Sequence, residues 1–120
     1  MTRTVLDLGS AVAQKLGIID SAANVPAEDQ ALIARVYNDL LEEWKERGVA
    51  YWAAGEIPNS VFQAVVLIIA GAVSTDYGMA EPVETDETGA QAPITAIGWR
   101  KLRRHMAKPA SGSKITADYF

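Results

Sequence analysis

Apolar residues recur at spacings of three and four through much of this chain, and the clearest case lies between Pro26 and Gly48. Ile33, Val36, Tyr37, Leu40, Leu41 and Trp44 fall on one stripe of a 3.6-residue period, so the pattern predicts an amphipathic helix over 26–48. Its ends are marked as well. Pro26 suits the first helical position, Glu28 and Asp29 place negative charge at the positive end of the helix dipole, Lys45 and Arg47 complement the other end, and Gly48 supplies the left-handed stop. The opposite face carries Asp39, Glu42, Glu43 and Glu46 as an acidic strip.

A first helix is expected over 4–16, where Val5, Leu8, Val12 and Leu16 make one apolar side, with Thr4 as N-cap, Asp7 completing a capping box and Gly17 as the stop. Residues 18–25 read as a connector. After Gly48, the segment VAYWAAGEIP places Tyr51 and Trp52 as core lids or contact residues rather than ligand stackers, since large aromatics dominate cores and interfaces. A third helix, capped by Asn59 or Ser60, is expected to run to about Tyr77 and stop at Gly78. It is apolar nearly all round, so it is either central to the domain or shared with another subunit, and Gly71 between two alanines would let another backbone approach. Residues 80–92, AEPVETDETGAQA, read as a solvated acidic loop. Pro93 then opens a basic helix to about Lys108, with Trp99, Leu102 and Met106 as a narrow seam. Pro109 ends it, ASGS forms a joint, and KITADYF closes the chain with the alternation of an extended strand. The expectation is an all-α bundle of about four helices over 1–108, with an extended C-terminal arm over 109–120.

With 120 residues, this is most simply one domain with a core of its own. The absence of cysteine removes disulfides, thiolate nucleophiles and the usual structural zinc sites. The net charge of -4 conceals a split: residues 1–92 hold five Lys/Arg against fourteen Asp/Glu, and residues 93–120 hold six against one. No secretory pattern is read at the N-terminus, where Asp7, Gln14 and Lys15 interrupt the apolar positions. The run Val61–Val73 rises only about 20 Å as a helix against a hydrocarbon core of about 30 Å, so it is assigned to the protein interior.

Catalytic chemistry finds little purchase. His105 sits among cationic neighbours that disfavour its protonation and repel metal ions, and one such histidine does not build a triad. Glu42 and Glu46 share a helical face, but carboxylates at that spacing on an exposed helix form a solvated strip more often than a glycosidase pair. No phosphate-cradling glycine loop is present. The expectation is a non-enzymatic protein without cofactor or metal. The basic helix 93–108 raises an alternative, a nucleic-acid-binding module, although the long acidic segment before it differs from the short turn of a helix-turn-helix.

Three helix ends, QKLGI, LLEEWKERGV and IAGAVSTDYGM, together with a final helix running into a Pro/Ser/Gly-containing tail, resemble the head-to-tail adaptor proteins of tailed bacteriophages, the tail accessory or head completion factors. The resemblance implies a helical subunit that forms a ring, a dodecamer, beneath the portal protein. Such a ring extends the DNA channel and receives the next tail or nozzle protein at the head–tail junction of the virion, after assembly in the host cytoplasm. It also implies that the final helix and tail grip the portal and neighbouring adaptors. That maps onto Arg100, Lys101, Arg103, Arg104, Lys108, Lys114, Ile115, Tyr119 and Phe120. The acidic strip Asp39, Glu42, Glu43 and Glu46 would then line a lumen that genomic DNA passes without specific binding. No membrane is implied.

Overall fold

Four α-helices dominate the computed structural model, which describes residues 2–18 and 25–107. They are α1 (Val5–Lys15), α2 (Ala27–Glu46), α3 (Asn59–Val73) and α4 (Ile94–Ala107), and α3 continues as a 3₁₀ turn over Ser74–Tyr77. The chain is mostly helical rather than purely so. Two minimal antiparallel ribbons are added: β1 (Thr2–Arg3) pairs with β2 (Ile57–Pro58), and β3 (Val83–Thr85) pairs with β4 (Gln91–Pro93).

The helix boundaries follow local chemistry. Asp7 N donates to Thr4 Oγ1 at 3.2 Å while Thr4 N donates to Asp7 Oδ2 at 3.0 Å, so the capping box satisfies two orphan donors of α1. The bond at Thr4 also holds the Asp7 carboxyl below its ordinary value. Pro26 accepts the first intrahelical bond of α2 from Gln30 N at 2.9 Å, which makes it the N-cap rather than the first helical residue. The cap of α3 also differs from expectation. Pro58 is the N-cap, without a side-chain bond, and Asn59 and Ser60 already lie in the helix. Pairing with Thr2 holds Pro58 extended, and the helix begins at the next residue.

Three segment ends share one closure. At the end of α2, Val49 N donates to Trp44 O at 2.8 Å and Gly48 N to Lys45 O at 3.1 Å, with Gly48 at φ 75°. These are the two bonds of a Schellman motif, which needs a left-handed residue where a side chain would be strained. Gly17 with Ile18, and Gly78 with Met79, repeat the same bond pattern. Ile18, Val49 and Met79 each follow the glycine and pack partly buried against the core. The motifs that carry the phage-adaptor resemblance are thus three copies of one helix-ending device.

The core gathers on α3, which packs most extensively against α4 and also against α1 and α2. Eleven of its residues are buried, which accounts for its apolar circumference: it is central within this chain. With its 3₁₀ extension, the segment Asn59–Tyr77 is long and apolar enough to cross a membrane, longer than the run Val61–Val73 suggested, but most of its residues are buried inside the domain. Ile33, Tyr37, Leu41 and Trp44 of α2 are buried as the stripe requires, with Val36 and Leu40 at its margin. Tyr51 and Trp52 part company. Trp52 is buried and donates through Nε1 to Tyr37 Oη at 3.0 Å, whereas Tyr51 is 64% exposed and meets the Trp52 ring in a T-shaped contact, 5.3 Å between centroids.

The close backbone approach falls at Gly98, not at Gly71. A Cβ at Gly98 would lie 2.8 Å from the Ala64 carbonyl oxygen of α3. At Gly71 it would instead strike the Thr95 methyl and approach Glu81. Gly71 therefore makes room for the first turn of α4 rather than for a backbone.

Candidate docking surface

The hairpin β3–β4 and the helix α4 form one electrostatic unit. Residues 80–92, expected as a solvated loop, are mostly exposed as expected but pair as a hairpin, and each of their four acids has a partner. Glu81 Oε2 accepts from Thr95 N at 2.9 Å and from the Thr95 hydroxyl, placing a carboxylate on the N-terminus of α4, where the dipole favours it. Glu84 pairs with Lys15 of α1. Asp86 pairs with Arg100 Nη1 at 2.9 Å, and Glu87 pairs with Arg104. Composition had pointed to solvent because these partners are remote in sequence and meet the acids only when α4 lies against α3.

Asp86 is the fixed member. Its Oδ1 accepts from Thr88 Oγ1, from Thr88 N at 2.9 Å and from Ala90 N at 3.1 Å, closing the tip D-E-T-G-A as an Asx-type turn. The Asp86 side chain is 6% exposed. The Thr88 hydroxyl and the Arg100 guanidinium hold its carboxyl far below the usual carboxylate range, against the opposing effect of burial. The Glu87–Arg104 pair is different, with both side chains more than half exposed.

The predicted docking cations therefore divide. Arg100 is tied to a structural turn, Arg104 is held by an exposed pair, and Arg103 lies with its guanidinium carbon 5.7 Å from the Trp99 ring centroid. Lys101 and Arg103 are exposed and pair with no acid among the described residues. Trp99 in turn meets Trp44 in a T-shaped contact, 5.5 Å between centroids, so the basic helix is anchored to the end of α2. Leu102 and Ile94 are fully buried and Ile97 nearly so, a broader seam than the one expected. Lys108, Lys114, Ile115, Tyr119 and Phe120, and with them the arm 109–120, lie outside the described residues, as do the side chains of His105 and Met106.

Asp39, Glu42, Glu43 and Glu46 are all exposed on the outer face of α2. Of these four, only Glu43 finds an ion-pair partner among the described residues, Arg47 at 3.5 Å, between side chains that are both more than half exposed. Among the described residues no group of three His, Cys, Asp or Glu is placed to hold a metal ion. A shallow open groove of about 350 Å³ between α1 and α2, lined by Leu6, Ser10, Val25, Ala27 and Gln30, contains none of the predicted site residues.

The sequence reading missed the pairing role of Glu81, Asp86 and Glu87. A signal was present, because D-E-T-G is turn chemistry between two short segments able to pair as strands. Comparison of the chain with protein-family models, with curated proteins and with solved structures finds no match.

Proposed function

We propose that this protein is a head-to-tail adaptor of a tailed bacteriophage, a structural subunit that forms a ring under the portal, extends the DNA channel and receives the next tail component. One observation carries the reading beyond the sequence resemblance: the acidic face of α2 stands wholly outside the core, and Arg47 is the only described cation that answers it. A wall of that sign repels phosphates and lets DNA slide past. On the other side of the charge split, Lys101 and Arg103 of α4 are exposed where the chain leads into its basic end, and they serve as the portal-facing surface.

The alternative, a nucleic-acid-binding module on α4, is disfavoured by Asp86, which is fixed in its own turn and already occupies Arg100. A salt-sensitive shift of free DNA by the monomer would revive it.

The test is co-sedimentation with portal rings. The intact chain is expected to bind, and a chain ending at residue 108 is expected to unfold cooperatively yet fail to stay attached, because the arm supplies aromatic anchors to the partner. Full binding by the truncated chain, or loss of its cooperative unfolding, overturns the arm's assigned role. Ring closure is expected only on the portal, because like-charged bodies repel when packed side by side. Closed rings of the isolated protein at micromolar concentration would refute that.

A further inference from the structure

We infer that the exposed face of α4 accepts an acidic polypeptide segment of its partner, and that Glu87 occupies the place of that segment until it arrives. This deepens the docking reading above and rests on it. The argument is an asymmetry between two neighbouring ion pairs. Asp86 is committed to its own turn through Thr88 and Ala90 as well as to Arg100, so it leaves only if the hairpin tip unfolds. Glu87 is bonded to Arg104 alone among the described groups, and both side chains are largely in water. Exposed pairs of this kind contribute little, and either member exchanges its partner at small cost.

Arg104 is therefore presented and already oriented toward a carboxylate, with Arg100 fixed one turn before it and, beside it, Lys101 and Arg103, which pair with no acid among the described residues. The native occupant is itself an acidic side chain on a turn, which defines the chemistry the surface takes: a carboxylate on a polypeptide. A phosphate chain is a different ligand, and its superior binding would count against the inference. Because the placeholder competes with the partner, the apparent affinity is reduced by the fraction of time that Glu87 holds Arg104.

The experiment uses the full chain and a fluorescein-labelled oligoglutamate peptide, with single-stranded DNA of equal charge as the comparison, followed by fluorescence anisotropy at low salt. Glu87→Gln is expected to bind oligoglutamate about two- to fivefold more tightly than the parent, the amount by which one exposed ion pair competes. Glu56→Gln, an exposed change of equal charge outside the hairpin, is the control and is expected to stay near the parent. Arg104→Gln is expected to bind roughly two- to fivefold more weakly. All differences should shrink in high salt. If Arg104→Gln weakens binding but Glu87→Gln behaves like Glu56→Gln, the placeholder is refuted while the docking surface stands. If neither α4 nor hairpin variants change binding, the docking surface itself is refuted. Tighter binding of DNA than of oligoglutamate at equal charge refutes the polypeptide assignment. Thermal unfolding of each variant checks that Arg104→Gln acts at the surface, and a large loss of stability there would assign Arg104 to the fold instead.

Discussion

A methyl group on Gly98 would lie 2.8 Å from the carbonyl oxygen of Ala64, and equally close to Cγ1 of Ile68. This contact sets the distance at which α4 crosses α3, and the obstructing atom belongs to a helix backbone that cannot rotate away. Two effects oppose each other in Gly98→Ala. Helix propensity favours alanine by about 1 kcal/mol, whereas overpacking of a tight core costs about 1–3 kcal/mol. Overpacking wins, because the neighbouring turn of α3 is buried and has nowhere to go.

Gly98→Ala is therefore expected to lower the unfolding free energy by up to about 2 kcal/mol. Gly55→Ala, at a site with nothing within 4 Å of the added carbon, is expected to be neutral or slightly stabilising. Urea denaturation of both variants checks the contrast, and a stabilised Gly98→Ala would show that α4 does not press on α3 as described.

Tyr37 is the acceptor for a buried indole donor and in turn donates to the Ala54 carbonyl at 3.2 Å. Tyr37→Phe leaves Trp52 Nε1 without a partner in a site that is 5% exposed, and it is expected to cost about 1–3 kcal/mol. In Trp52→Phe the donor is gone. The double variant is accordingly expected to cost less than the two single changes together, by about 1 kcal/mol. Additive losses in the denaturation cycle would mean that the bond contributes nothing.

Tyr77 donates to Asp29 Oδ1 at 2.9 Å, joining the end of α3 to the first turn of α2. Burial, then the bond to Asp29 and its charge, push the Tyr77 phenol up to about 12 from about 10. Because the folded value is the higher, the stabilisation is fully present below about pH 10 and is lost as pH rises through about 12. Tyr77→Phe is expected to cost about 1 kcal/mol at neutral pH, from the lost hydrogen bond. It should also flatten the alkaline decline of stability between pH 10 and 12, the slope being set by the proton that Tyr77 releases on unfolding. Unfolding free energies measured across that window decide the point, and identical slopes for parent and variant would remove Tyr77 as its source.

Much of the fold was legible from residues close together in the chain. The stripes of α1 and α2, the box formed by Thr4 and Asp7, and the stops at Gly17, Gly48 and Gly78 depend on bonds that span at most five residues. Periodicity and single-residue conformational preference encode such bonds directly. The candidate surface was legible only as a cluster of cations on one helix.

The rest was decided by tertiary contact. Glu81, Glu84, Asp86 and Glu87 looked like a solvated run because carboxylates prefer water unless a cation or a helix end is supplied, and Thr95, Lys15, Arg100 and Arg104 supply them only after α4 has packed on α3. The same holds for Tyr51 and Trp52, neighbours of similar apolarity: Tyr37 offers a buried acceptor to one and nothing to the other. Sequence by itself determined where the helices run and stop, apart from the start of α3 beside the Thr2–Pro58 pairing, because those choices are made within one or two turns. Which charges remain exposed for a partner was determined by the fold, because pairing is set by distance in space.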